Sequence, residues 1–116
     1  MTEVETAWAA GLFEGEGSIV CHKIINRANS YRVTLTMTMV DRDVVERFYH
    51  IVGVGSFLGP YKGQRDGNQE KYVWQVQNFS GCLLILEKFL PYLGARRKEK
   101  AIETIALCKE RLDIKD

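Results

Sequence analysis

The chain has 116 residues, 46% hydrophobic and 27% charged, with a formal net charge of +1. That length supports one hydrophobic core and is short for two domains. Its three cysteines, Cys21, Cys82 and Cys108, are odd in number and far apart. This argues against a disulfide framework or a paired Cys/His zinc site and fits reduced thiols in a cytosol-like compartment.

No apolar run approaches the ~18 residues that would span a bilayer. The stretch from Met1 to Thr6 carries two glutamates and no basic n-region, so a soluble, unsecreted, intracellular protein is expected, in the cytoplasm or an organelle matrix. The small net charge hides an uneven distribution. Residues 20–40 and 54–76 together hold Lys23, Arg27, Arg32, Lys62, Arg65 and Lys71 against only Asp66 and Glu70, while the remainder of the chain is net acidic. Basic charge therefore falls on segments that read below as strands and loops, as on a sheet that faces a polyanion.

The first element is a helix from Val4 to Glu16, with apolar and small residues at helical spacing. Ala7, Gly11 and Gly15 fall at i, i+4 and i+8 and make a stripe with almost no side chain. Two helical glycines cost roughly 1 kcal/mol each relative to alanine, which implies that another backbone approaches closely there. The partner is either a second copy of the same helix, related by a two-fold axis, or the protein's own sheet. The helix ends in Gly15-Glu16-Gly17, and Ser18-Ile19-Val20 starts a strand-like run. The chain thus delivers a carboxylate to a sharp helix-to-strand junction, where it is a candidate metal ligand.

Two strands follow, Ser18 to Asn26 and Tyr31 to Met39, joined by the polar turn Arg27-Ala28-Asn29-Ser30 and read as a hairpin. In the second, Val33, Leu35, Met37 and Met39 alternate with Arg32, Thr34, Thr36 and Thr38, so one face packs and the other is hydroxyl-rich. Asp41 is placed to cap an amphipathic helix from Arg42 to Val52, which Gly53 ends. A second strand pair, 53–58 and 71–76, encloses a polar loop from Gly59 to Glu70. Ser80 is expected to cap a third helix that Pro91 and Gly94 break, and Lys98 to Leu112 forms the last. The order αββαββαα describes one α+β domain, an antiparallel sheet with its helices on one face. Only one acidic helix end is present, so chemistry that needs two such acids needs two chains.

Ala9-Ala-Gly-Leu-Phe-Glu-Gly-Glu-Gly17 followed by Ser18-Ile19 resembles the motif after which the LAGLIDADG homing endonucleases are named. Gly53-Val-Gly55 before the third strand, and Pro91-Tyr-Leu with Arg96-Arg-Lys-Glu-Lys-Ala101 leading into the last helix, also resemble members of that family. The likeness covers most of the chain and is to the single-motif type. It implies a homodimer with the motif helices packed at the two-fold axis and two saddle-shaped sheets in the DNA major groove. Ala7, Ala10, Gly11 and Gly15 would then make the dimer contact. A nine-residue strand spans ~30 Å, about nine base pairs at ~3.4 Å each, so two protomers would read a long, nearly palindromic site on the order of 18 base pairs.

The implied activity is site-specific, double-strand hydrolysis of phosphodiesters with Mg²⁺ or Mn²⁺, ions that favour hard oxygen ligands. By the same resemblance Glu16 is the catalytic acid and metal ligand, and the Gly15 carbonyl is a further ligand. Arg97 or Lys98 is the basic residue that steadies the phosphate, and Asp41 orders water unless it is simply an N-cap. Glu14 would point ~200° away from Glu16 on a regular helix, which favours a structural role. Glutamate replaces the shorter aspartate at both motif acids, moving each carboxylate by about one methylene.

Strand parity places His22, Asn26, Arg32, Thr34, Thr36, Thr38, Lys71 and Gln75 toward the groove, with Val20, Ile24, Leu58 and Val73 sharing that parity in places. Loop cations Arg27, Lys62 and Arg65 join them as DNA-binding residues. Arg and Gln suit bidentate base contacts, and Thr offers a hydroxyl and a methyl that suits thymine. Tyr72 and Trp74 read as core. The competing reading is a binder on the same scaffold that does not cleave, either an intron RNA maturase or a DNA-binding regulator. The carboxylate at position 16 favours the enzyme, because a pure binder gains nothing from a negative charge beside phosphate.

Overall fold

The protein is described by a computed structural model, whose described residues are 1–23, 30–62 and 69–113. Helix α1, Glu3–Glu16, begins in a capping box. The Glu5 N–H donates to Thr2 Oγ1 at 3.0 Å and the Thr2 N–H donates to Glu5 Oε1 at 2.8 Å, which satisfies two of the donors that every helix start leaves open. Receiving the Thr2 N–H and hydroxyl holds the Glu5 carboxyl below its usual pKa.

Strand β1, Gly17–Lys23, leaves the helix with no intervening residue, and β2 is Tyr31–Met39. Helix α2, Arg42–Val52, ends on Gly53 in the left-handed conformation at φ 71°, a glycine-favoured stop. Strand β3, Ser56–Lys62, and strand β4, Glu70–Val76, form the second pair. Helix α3, Phe79–Phe89, runs through a short 3₁₀ turn, Leu90–Tyr92, into α4, Ala95–Arg111.

The four strands form one antiparallel sheet in the order β1-β2-β4-β3. Alternation along β2 decides which face packs: Val33, Leu35 and Met37 are buried, whereas Arg32 and Thr38 are exposed and Thr34 and Thr36 half-buried. The inward set meets Ala9, Ala10 and Phe13 of α1, Val45, Phe48 and Val52 of α2, and the apolar residues of α3 and α4 in one core. Trp74 anchors its centre, 4.8 Å from Phe48 and 6.4 Å from Phe13 between ring centroids, both edge-to-face. Its indole N–H donates to the Val54 carbonyl at 2.9 Å. Phe13 also lies 5.7 Å from Phe89, so the last turn of α1 is pinned on several sides.

Three expectations are corrected. Ser80 does not cap α3; Asn78 does, its Oδ1 accepting the Gly81 N–H at 2.6 Å while the Ser80 hydroxyl donates to the same oxygen at 3.0 Å. Strand β3 continues past Leu58 through Pro60 to Lys62, with a register shift between Leu58 and Tyr61 where the Gly59–Pro60 peptide is cis. Helix α4 starts at Ala95, three residues before Lys98.

Candidate active site and nucleic-acid interface

The junction of α1 and β1 is built around Phe13. Gly17, the first residue of β1, pairs with Met37, and a Cβ at Gly17 would overlap the Phe13 ring. Only glycine lets the chain turn from helix to strand this close to the core. Glu16 is thereby left as the last, exposed residue of the helix, its side chain making no hydrogen bond or ion pair among the described residues.

Glu14 behaves differently. Its Oε1 accepts the Gly94 N–H at 3.1 Å, and its buried Oε2 lies 3.1 Å from Arg97 Nε, at ion-pair distance but without hydrogen-bond alignment. The structural role read for Glu14 agrees with this placement. A groove of about 410 Å³ opens beside the junction, lined by Glu14, Gly17, Ser18, Ile19, Arg96, Arg97 and Lys100. One wall is the end of the acidic helix and the other is the first two turns of α4, which contribute the cations Arg96, Arg97 and Lys100.

Of the two expected basic residues, Arg97 reaches the groove but is engaged by the protein. Its Nη1 donates to the Gly17 carbonyl at 2.7 Å, and its guanidinium lies 5.7 Å from the Phe13 ring centroid. Lys98 is half-buried and does not line the groove. Arg96 and Lys100 do line it, and neither makes an ion pair among the described residues. Sequence reading passed over both, although their i, i+4 spacing puts them on one face of α4. Asp41 is exposed at the N-cap of α2, where its side chain makes no capping bond; its carbonyl accepts from the Val44 and Val45 N–H groups instead. It follows the end of β2 that runs past Gly17.

The sheet face away from the helices collects most of the residues expected to read a groove. Cross-strand pairing sets Arg32 beside His22, Thr34 beside Val20, and Ser18, Thr36, Gln75 and Ser56 in one row. Thr38, Val73 and Leu58 form a second row across three strands, and Lys71 pairs with Tyr61. Val20, Leu58 and Val73 thus share the open face, as their parity implied. Lys62 does not: beyond the bulge it pairs with Glu70, on the parity of Tyr72 and Trp74. Ile24, Asn26, Arg27 and Arg65 lie outside the described residues.

On α1 the small-residue stripe splits. Ala7, Gly11 and Gly15 are exposed, and a Cβ at Gly11 or Gly15 would meet nothing within 4 Å. Close packing against the protein's own sheet is therefore not what these glycines serve. Ala10, expected on the same contact, is fully buried in the chain's own core, because it is turned about 100° from Gly11 and falls on the side of Phe13, three residues on.

The chain is thus an α+β fold with one open, hydroxyl-rich sheet face and a carboxylate at a helix-to-strand junction beside a cationic groove. The fold is that of the LAGLIDADG homing endonucleases. No family model and no curated protein matches the chain. Among solved structures it is similar to the homing endonuclease I-CvuI in complex with its target, at 24% identity and a TM-score of 0.70 over 91% of this chain. It is also similar to the archaeal intron-encoded I-Vdi141I complexed with DNA (18%, 0.72, 96% of this chain) and to I-GzeII in complex with its DNA target (17%, 0.74, 93%). The chain spans 66% of the I-CvuI chain, 70% of I-Vdi141I and 36% of I-GzeII. Among the described residues no helix is long and apolar enough to cross a membrane.

Proposed function

We propose that the protein is a single-motif homing endonuclease that binds a long, nearly palindromic DNA site as a homodimer and hydrolyses both strands with a divalent metal ion. The observation that carries this reading is Glu16, a carboxylate left exposed and unpartnered at the end of α1, next in sequence to Gly17, which lines a groove with two uncommitted cations. A solvated face would not need an acid held there by a glycine whose Cβ space is filled by Phe13. The fold supports it, and so does its occurrence in proteins solved on DNA, with Ca or Mg present in two I-CvuI structures.

The donor set fits a hard cation. Glu16 offers carboxylate oxygens where the closing carbonyls of α1 carry partial negative charge, and Gly15 offers its carbonyl with no side chain in the way. Among the described residues of one chain, no three His, Cys, Asp or Glu side chains converge on one point. Water and phosphate oxygens would complete the shell, and Glu16 of a second chain, which the exposed Ala7, Gly11 and Gly15 stripe would bring to the axis, would add a further carboxylate. When bound, a divalent ion supplies charge neutralisation at the phosphate and a more acidic water.

The chain's own residues do the rest. Arg96 and Lys100 hold the phosphate beside Glu16. Arg32, His22, Thr34, Thr36, Thr38, Lys71 and Gln75 contact base edges and backbone from the open face, with Val20, Leu58 and Val73 suited to thymine methyls. Asp41 orders water at the end of β2.

Glu16→Gln tests the assignment, because it keeps shape and removes charge. Cleavage of a site selected from a randomised library should fall by at least a thousandfold in Mg²⁺, with binding in Ca²⁺ within about threefold of the parent. Cleavage by the variant at the parent rate removes Glu16 from the chemistry. A parent chain that binds its selected site and never nicks it is a DNA-binding regulator on this scaffold.

A further inference from the structure

Arg97 occupies the stretch of α4 where a phosphate-facing cation is expected, yet its guanidinium grips both flanks of Glu16. Its Nη1 donates to the carbonyl of Gly17, one residue after the acid, at 2.7 Å. Its Nε sits 3.1 Å from Oε2 of Glu14, two residues before it. The other Glu14 oxygen accepts the Gly94 N–H, and Gly94 is the N-cap of α4, a helix with no side-chain cap of its own. Glu14 therefore stands where an acid favours a helix start on a helix 80 residues away in sequence. The guanidinium also lies over Phe13, the side chain that forbids a Cβ at Gly17.

We infer that Arg97 is a positioning residue, and that the Glu14–Arg97 clamp fixes the end of α1 that carries Glu16 relative to the start of α4 that carries Arg96 and Lys100. The inference rests on the proposed function. One planar fork ties the end of α1, the start of β1 and the first turn of α4 into a single rigid corner. Arg96 and Lys100 ride on the same helix, so the clamp holds the acidic and cationic walls of the groove at a fixed separation. A reacting group displaced by about 1 Å costs on the order of a hundredfold in rate, so such a corner has a measurable effect. Lysine cannot reproduce the fork, because an ammonium presents a point charge.

The test separates this role from phosphate binding. In Arg97→Gln and Arg97→Lys, single-turnover cleavage should fall roughly a hundredfold, while DNA affinity stays within about threefold and the slope of log Kd against log salt is unchanged. Glu14→Gln should reproduce the rate loss, and combining it with Arg97→Gln should add little more. If Arg97 instead touches a phosphate, the slope falls by about 0.9 for each phosphate left without its cation and Arg97→Lys regains most of the rate; either result overturns the inference. A second arm needs no DNA. Amide exchange at Gly94 should quicken about tenfold or more in Arg97→Lys, and unchanged protection there overturns the inference whether or not the parent cleaves. Should Arg97→Gln fail to fold, Arg97→Lys and Glu14→Gln carry both arms. A parent chain without cleavage activity rejects the proposed function, while the exchange arm still decides whether the clamp holds the corner.

Discussion

Two motif glycines separated by about one turn and a half answer to different neighbours. At Gly17 a Cβ would run into the Phe13 ring, which is fully buried against Trp74 and Phe89; at Gly11 a Cβ would meet only open space. Gly17→Ala must therefore displace a core aromatic, and overpacking of that kind typically costs about 1–3 kcal/mol. Gly11→Ala removes only the flexibility of glycine within a helix and should stabilise the isolated chain by up to about 1 kcal/mol. Urea unfolding of the two variants under conditions where the chain is monomeric checks the contrast. Equal midpoints would mean that Phe13 can swing aside at no cost.

Elements with an uninterrupted pattern were legible at their full length. Strand β2 runs over the nine residues that its alternation marked, and α2 occupies Arg42–Val52 as its amphipathic spacing required, with Gly53 as its stop. Boundaries failed where two local signals competed. Glycine and proline at positions 59 and 60 read as the start of a loop, but β3 absorbs them across a shift in register. Asn78 and Ser80 both suit a cap, and Ser80 hydrogen-bonds to the Asn78 side chain that performs it.

Of the candidate site, the open face and the small-residue stripe followed from periodicity and the junction carboxylate from its bracketing glycines, while the exposure of the stripe is a finding of the structure. The Glu14–Arg97 clamp did not, because its partners are separated by most of the chain and no local rule pairs them. The packing of the C-terminal helices was legible only as hydrophobicity. Cys82 on α3 and Cys108 on α4 are both fully buried. Burial pushes their thiols up, to about 12 and about 11 from an ordinary 9.0, each raised further by a neighbouring thiol.

Thiols with raised values stay protonated in the folded chain after they would ionise in the unfolded one, so their contribution to stability is complete below about pH 9 and fades as pH rises toward about 11 to 12. Iodoacetamide at about pH 8 should accordingly alkylate the half-buried Cys21 first and reach Cys82 and Cys108 only at the rate of unfolding. Stability measured by urea should decline between about pH 9 and 11. Rapid modification of all three cysteines at the lower pH would show that α3 and α4 do not stay packed on the sheet.

At the scale of the whole molecule, the proposed function divides the surface of α1 between its own core and a second copy. Gly11→Leu adds a bulky side chain where the monomer has room and a symmetric partner would not. The variant should fold with a melting temperature within a few degrees of the parent yet sediment as a monomer at concentrations where the parent is a dimer. It should also lose binding to the full site while keeping weak affinity for a half-site. A dimer of normal mass would place the interface elsewhere.

Charge makes a prediction that the total alone would not. A net charge of +1 implies little affinity for a polyanion, but Arg32 and Lys71 sit on the open face and Arg96 and Lys100 in the groove, so a dimer would present eight cations to one DNA molecule. Eight phosphate contacts correspond to a slope near about −7 in log affinity against log salt, a loss of roughly ten-thousandfold between about 50 and 200 mM. Fluorescence anisotropy on the selected site across that range measures the slope directly. Arg96→Gln and Lys100→Gln should each reduce its magnitude by about 1.8, one phosphate in each protomer. A slope near zero would mean that the near-neutral average, and not its sidedness, describes what DNA meets.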